Sequence, residues 1–212
     1  MIDRYVSAAH PAKVKVLGRH LRDFCIGHAV LLHACGNAFA APGKWRSWKF
    51  GDALVAVFIC SRTYEDGHRE FRAPIGWGEW IWGKRMQMRF LCSRRGWIVG
   101  QVQVLADYMA KAWDSIPECW FNGEARRAGT PWLLTLKRNL MLEYGYTESQ
   151  ALNMPLGKAQ WELAAGAEYQ GGCKLVDSED ELTLQQAADI AAGKAVFGVP
   201  VPKPGTKDES KP

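Results

Sequence analysis

The chain has 212 residues, 48% of them apolar and 23% charged, with ten tryptophans, six cysteines and a formal net charge of +5. That composition fits one globular domain, or one domain with an appendage, whose core is large enough to form without metal or disulfide staples. The charge is uneven: residues 1–100 hold sixteen Lys/Arg against seven Asp/Glu, residues 101–150 five against six, and residues 151–212 six against nine. A basic front and a mildly acidic rear suit an acidic partner or head-to-tail self-association, and equally describe a skewed solvated surface.

The first residues, MIDRYVSAAH, include Asp3 and Arg4 and lead into no apolar signal-peptide core. The cysteines (Cys25, Cys35, Cys60, Cys92, Cys119 and Cys173) are scattered, with no C-x-x-C pair. Six free thiols without an export signal point to a reducing, cytoplasmic location, with the cysteines buried as small hydrophobes.

The stretch CIGHAVLLHACGNAF, from Cys25 to Phe39, sets two histidines and two cysteines within eleven residues. The twenty residues from Phe24 to Gly43 carry no formal charge, which is the length of a bilayer span. His28, His33, Asn37 and three glycines interrupt it, so a membrane helix is set aside. As a metal site the spacing is C-x₂-H-x₄-H-x-C. A helix would bring Cys25, His28 and Cys35 to one face and turn His33 about 100° away from Leu32. That is neither a paired knuckle nor a turn-plus-helix zinc pattern. A buried core helix over Gly27 to Ala34, with His28 on a backbone or carboxylate partner, is the favoured reading; a three-ligand site of Cys25, His28 and Cys35 is the alternative.

Asp52 followed by ALVAVFIC is apolar on all sides, and a helix is expected because no strand is available to pair with it. Glu65, Asp66, Glu70 and Glu79 are expected in loops beside Arg62, Arg69 and Arg72, as a mixed polar surface. From Phe71 to Lys84, FRAPIGWGEWIWGK alternates glycine, proline and tryptophan and is expected to be a packed loop. Ile98, Val102, Leu105, Met109 and Ala112 keep helical spacing. Thr130-Pro131 opens a helix bearing Leu133, Leu136, Leu140 and Tyr144 on one face, and Gly145 ends it. TESQ, from Thr147 to Gln150, is a capping box for a short helix. Pro155 starts another, with Leu156, Ala159, Leu163 and Ala167 on one side, and Gly171-Gly172 ends it. SEDE, from Ser178 to Glu181, caps a helix to about Ala192. From Val196 the chain is expected to be a flexible Pro/Lys-rich tail. The expected fold is therefore mainly α: an irregular multi-helix domain over residues 1–195, a Trp/Gly-rich loop, and a disordered tail over 196–212.

Catalytic patterns are missing: there is no H-E-x-x-H, no G-x-S-x-G and no G-x-x-x-x-G-K-[ST], and Gly76, Gly78 and Gly83 have the wrong spacing for a dinucleotide fingerprint. DSEDE lacks the register of a calcium loop. No enzyme and no cofactor are expected. Between Lys44 and Arg95, Trp45, Trp48, Trp77, Trp80 and Trp82 interleave with Lys44, Arg46, Lys49, Lys84, Arg85 and Arg89, the ingredients of single-strand nucleic-acid binding.

Three blocks in order carry a resemblance. LRDFCIGHAVLLHACGNAFA (Leu21 to Ala40) is a Gly-His opening of a leucine helix closing on Gly-Asn. GDALVAVFICSRTYEDG (Gly51 to Gly67) is an apolar helix ending in Cys-Ser-Arg. In PWLLTLKRNLMLEYGYTESQALNMPLGKAQWELAAGAEYQGG (Pro131 to Gly172), a helix leads to a Tyr-Thr-Glu step, a Met-Pro break and a helix closed by Glu-Tyr-x-Gly-Gly. Over residues 15–175 this order resembles the tail assembly chaperones of phage and prophage tail gene clusters; the segment from Phe71 to Met88 departs from it most. The resemblance implies a non-enzymatic helper in the cytoplasm of a bacterial host, one that coats the long helical tape-measure protein and recruits tail-tube subunits. It carries over no catalytic residue. A chaperone of helical clients needs exposed aromatic anchors or an adaptable apolar surface, for which Trp77, Trp80, Trp82, Met86 and Met88 are the candidates.

Overall fold

A computed structural model describes residues 2–9, 13–40, 48–93, 95–114, 117, 119–121 and 131–176. A first compact unit spans Met1–Leu175 and a second Val176–Pro212. The expected helix over 178–192, the boundary at 195–196 and the tail lie outside the described residues, as does Thr130.

The first unit is mainly helical, as its sequence periodicity demands. In chain order it contains α1 (Ile2–Ala9), β1 (Lys15–Val16), β2 (Arg19–His20), α2 (Ile26–Ala34), a 3₁₀ turn (Ala38–Ala40), α3 (Phe50–Cys60), α4 (Tyr64–Arg72), α5 (Trp77–Cys92), α6 (Arg95–Trp113), β3 (Cys119–Phe121), α7 (Trp132–Glu143), α8 (Glu148–Asn153), α9 (Leu156–Tyr169) and β4 (Cys173–Leu175). Helix α2 is the hub, packed on α3, α4, α7 and α8. Its Ile26, Ala29 and Leu32 are fully enclosed. Around them lie Ala53, Ala56, Val57 and Ile59 of α3, Leu105 and Met109 of α6, Leu136 and Leu140 of α7, and Leu156 and Ala159 of α9. Burying the leucine, isoleucine, valine and methionine side chains among them contributes about 1.5–3 kcal/mol each. Distant segments meet at the start of α2. Leu156 N–H donates to Phe24 O at 2.8 Å and Ile26 N–H to Met154 O at 3.3 Å, bridging the entries of α2 and α9.

The strands form two short antiparallel ladders, β1 with β2 and β3 with β4. Lys15 faces His20 and Val16 faces Arg19 across a turn in which Leu17 (φ 48°) and Gly18 (φ 81°) are both left-handed. That is the backbone of the tight hairpin turn matching strand twist. A left-handed leucine is strained by roughly 1–2 kcal/mol. It is held there because Leu17 is buried, its N–H donates to Gln101 Oε1 at 2.8 Å, and its carbonyl accepts from Trp82 Nε1 at 3.1 Å.

Local signals explain most helix ends. Thr147 and Gln150 close the capping box of α8, Gly145 takes φ 70° after α7, and Gly171 takes φ 74° after α9. Three expectations are corrected. The span Phe71–Lys84 is not a Trp/Gly-rich loop: it contains the end of α4, a short Ala73–Gly76 connection and the first two turns of α5. Trp82, Met86 and Phe90 recur every four residues, and glycines such as Gly78 and Gly83 inside a helix cost only about 1 kcal/mol each without breaking it. Glu65, Asp66 and Glu70 lie on α4, because Thr63 Oγ1 accepts from Asp66 N–H at 3.2 Å and caps that helix; Glu79 lies on α5. Finally, burial holds for Cys25, Cys60 and Cys173, whereas Cys92 is exposed at the end of α5.

Candidate functional site

Helix α5 presents two faces of opposite character. Positions 82, 86 and 90 share one side and positions 77, 80, 81, 84, 88 and 91 the other, as a 3.6-residue period requires. The inner side fastens the helix. Trp82 donates to Leu17 O, and its ring lies 4.0 Å from the Arg19 guanidinium. Met86 is 5% exposed, and the Phe90 ring stacks on Phe50 at 4.5 Å. Near the helix start, Glu79 receives Arg19 Nη2 at 2.7 Å and also Arg62 Nη2. Burial pushes the Glu79 carboxyl up, but the hydrogen bonds and charges of the two arginines outweigh it and hold the group below the usual glutamate range. Arg62 further donates to Glu70 at 2.8 Å and lies 4.1 Å over the Phe58 ring. Of the residues expected to form an ordinary polar surface, Arg62, Glu70 and Glu79 therefore make an anchoring network for α5, whereas Glu65 accepts from Ser149 and Asn153 and Asp66 pairs with Arg69.

The outer side has nothing packed on it among the described residues. Trp77 is 81% exposed, Trp80 50% and Met88 58%, with Ile81 and Leu91 exposed beside them. Trp77 and Trp80 meet edge-to-face with centroids 5.9 Å apart, and Lys84 Nζ sits 5.9 Å from the Trp80 ring. Between Trp80, Ile81, Lys84, Arg85, Met88 and Arg89 lies a shallow depression of about 310 Å³. The only carboxylate of α5, Glu79, is turned to Arg19 and Arg62, so the charges along the outer surface are the cations Lys84, Arg85 and Arg89. At the helix start, Phe71 and Ile75 are also exposed and line a second depression with Leu54, Val55 and Phe58. Of the five anchor candidates, the structure thus gathers Trp77, Trp80 and Met88 on one open stripe and puts Trp82 and Met86 inside. Ile81 and Leu91 join the stripe and were missed, as was Ile75, exposed in the connection before α5; the spacing of Ile81 and Leu91 from Trp77 carries the signal once the segment is read as helix.

The cysteine–histidine stretch is structural. His28 is enclosed in α2; its Nδ1 accepts from Cys25 N–H at 3.3 Å, which leaves Nε2 protonated and donating to Arg62 O at 2.8 Å. Desolvation lowers its pKa to about 4. Burial raises the Cys25 thiol to about 12, and Cys35 Sγ donates to Leu32 O at 3.4 Å. With both imidazole nitrogens occupied, Cys25, His28 and Cys35 do not converge, and no group of three His, Cys, Asp or Glu able to hold a metal occurs among the described residues. Among the same residues, no helix is long and apolar enough to cross a membrane.

Comparison with family models, with curated proteins and with solved structures finds no match. The stripe on α5 therefore has to be interpreted from its own chemistry. Of the basic, Trp-rich span from Lys44 to Arg95, the residues Lys44, Trp45 and Arg46 lie outside the described ones and Trp82 faces the core. On α5, Trp77, Trp80, Lys84, Arg85 and Arg89 remain as surface common to a protein-binding and a nucleic-acid-binding interpretation.

Proposed function

We propose that this protein is a non-enzymatic binding protein that presents the outer face of α5 to an acidic amphipathic helix of a larger partner. The observation that carries the proposal is the stripe Trp77, Trp80, Ile81, Met88 and Leu91, exposed on a helix whose other side is anchored. From Trp77 to Leu91 the stripe is about 21 Å long at the usual helical rise, enough for four turns of a partner helix. Exposed aromatic and methionine side chains suit an apolar helix face of variable detail, and Lys84, Arg85 and Arg89 favour acidic residues along its edges. Joined to the resemblance carried by Leu21–Ala40, Gly51–Gly67 and Pro131–Gly172, this supports a tail assembly chaperone of a phage or prophage, working in the host cytoplasm. Its partners on this reading are the tape-measure protein, a long helical chain, and tail-tube subunits.

The test is co-expression with the tape-measure protein and the tube subunit of the same gene cluster, followed by purification at moderate salt. The expected result is a complex with one of them that is lost in Trp77→Ala/Trp80→Ala. Recovery of the protein alone, or an unaffected complex in the double variant, overturns the assignment of this face. Oligonucleotide binding with a steep salt dependence, lost in Lys84→Ala/Arg85→Ala, would favour single-stranded nucleic acid instead.

A further inference from the structure

The short ladder of β3 and β4 carries a cysteine at the start of each strand. In its register Cys119 faces Leu175 and Phe121 faces Cys173, so the two cysteines are diagonal neighbours, one step apart. Residues two apart along a strand share a face, which puts both thiols on the same side of the ladder. There they bear directly on each other: burial and the adjoining Cys173 thiol push the Cys119 thiol up to about 11. Both cysteines line a cleft of about 700 Å³ that opens where the end of α6 meets α7 and α9. Cys119 is half-buried and Cys173 buried. Cys25 and Cys60, by contrast, are enclosed in the main core.

Diagonal neighbours of an antiparallel ladder have Cα atoms about 7–8 Å apart, whereas a disulfide spans about 4.4–6.8 Å. Joining the two sulfurs therefore asks the ladder to shift by about 1 Å. Only three residue pairs hold it, and β4 is entered through Gly171, at φ 74°, and Gly172. The sulfurs are also loosely held. Cys119 Sγ donates to Pro117 O at 3.5 Å and Cys173 Sγ to Ala164 O at 3.7 Å, and a thiol is a weak donor. A disulfide closed against strain is more easily reduced than a relaxed one, so a bond here is reversible and not a permanent staple.

We infer that Cys119 and Cys173 are a reversible dithiol pair, closed to a disulfide by a small-molecule disulfide such as oxidised glutathione and reopened by the corresponding thiol. Cys119, the more accessible of the two, loses its proton to water, and its sulfur attacks one sulfur of the oxidant, breaking that S–S bond and expelling a thiolate. Cys173 then loses its proton and attacks Cys119 Sγ, breaking the mixed disulfide and expelling the second thiolate. The two protons end on the two small thiols released, and the two electrons given up by the protein reduce the one disulfide consumed. Because the Cys119 thiolate is scarce near neutral pH, closure is slow and answers sustained oxidation. The bridge fastens β3 to the strand that follows α9. The inference does not rest on the chaperone reading, and Trp77→Ala/Trp80→Ala is expected to leave it untouched.

The test equilibrates the full reduced chain in glutathione buffers running from reduced to oxidised, followed by acid quenching, alkylation and peptide mass spectrometry. The expected result is a cross-linked peptide pair joining Cys119 to Cys173, which grows with the oxidised fraction and disappears on return to the reduced buffer. Cys92→Ser is expected to leave that cross-link unchanged. Glutathione retained on Cys119 or Cys92 without a cross-link overturns the inference. So does a scatter of pairings in which Cys119 with Cys173 is no commoner than the rest, or a bridge that fails to reopen. The unaltered chain decides it even if the variant fails to fold.

Discussion

Between pH 7.5 and 5, above the range of the carboxylates, acid should weaken this fold through His28. The imidazole is fully enclosed, and its neutral form is the one that fits: Nδ1 faces the Cys25 N–H and Nε2–H faces the Arg62 carbonyl. Desolvation opposes protonation and lowers its pKa from 6.5 to about 4. The unfolded chain, titrating near 6.5, therefore takes up a proton before the folded chain does. Stability is complete above pH 6.5, declines as pH falls from 6.5 towards 4, and gains no further loss from this group below that. At about 1.4 kcal/mol per pH unit the whole window corresponds to about 3 kcal/mol, of which about 2 kcal/mol is gone at pH 5. Urea unfolding followed by circular dichroism at 222 nm, at pH 7.5 and 5.0, measures it. His28→Gln, which cannot titrate, should start less stable but lose about 2 kcal/mol less than the wild type between the two conditions. Equal losses in both proteins, or a native-state imidazole titration near 6.5 by NMR, would refute the reasoning.

The two sides of α5 should separate in mutagenesis. Trp82→Ala is expected to destabilise the fold by about 3–5 kcal/mol in urea unfolding, whereas Trp77→Ala/Trp80→Ala should stay within about 0.5 kcal/mol of wild type while losing the partner. A β-carbon added at Gly27 would lie 2.6 Å from the Tyr64 ring, pressing α2 against α4. Gly27→Ala is thus expected to lower stability by about 1–3 kcal/mol in the same measurement, and an unchanged midpoint would mean that the two helices part freely. Native alkylation with iodoacetamide, read by peptide mass spectrometry, should label exposed Cys92 first and spare Cys25, which is buried with its thiol pushed up to about 12. Early labelling of Cys25 would show that the start of α2 opens.

How far the sequence discloses this molecule depends on whether a segment's pattern has a single explanation. The rear helices could be located because caps and breakers mark their ends: Thr147 and Gln150 open α8 with a capping box, and Gly145 and Gly171 take the left-handed conformation just after α7 and α9. The burial of His28 was legible from its apolar neighbours, although its partner, the Arg62 carbonyl, lies 34 residues away and no local pattern announces it. Helix α5 was obscured by composition. Gly78 and Gly83 weaken its propensity, and both faces carry large apolar residues, so neither a polar face nor an alternating pattern marks it. What makes it a helix is tertiary: Glu79 on two arginines and Trp82 on the hairpin carbonyl. For the same reason the candidate stripe was half legible. Tryptophan and methionine drew attention to the segment, but only the helical register separates Trp77, Trp80 and Met88 from Trp82 and Met86.

The strained turn at Leu17 has a consequence for the order of events in folding. Its amide waits for a side chain 84 residues further along, and its carbonyl for one 65 residues further along. Closing loops of that size comes late, since the chain entropy is given up before the contact exists. A two-residue hairpin amide ordinarily exchanges its proton with water within moments. At Leu17 the exchange rate instead reports whether α6 has arrived, which makes this single proton a clock for the final assembly of the front of the molecule.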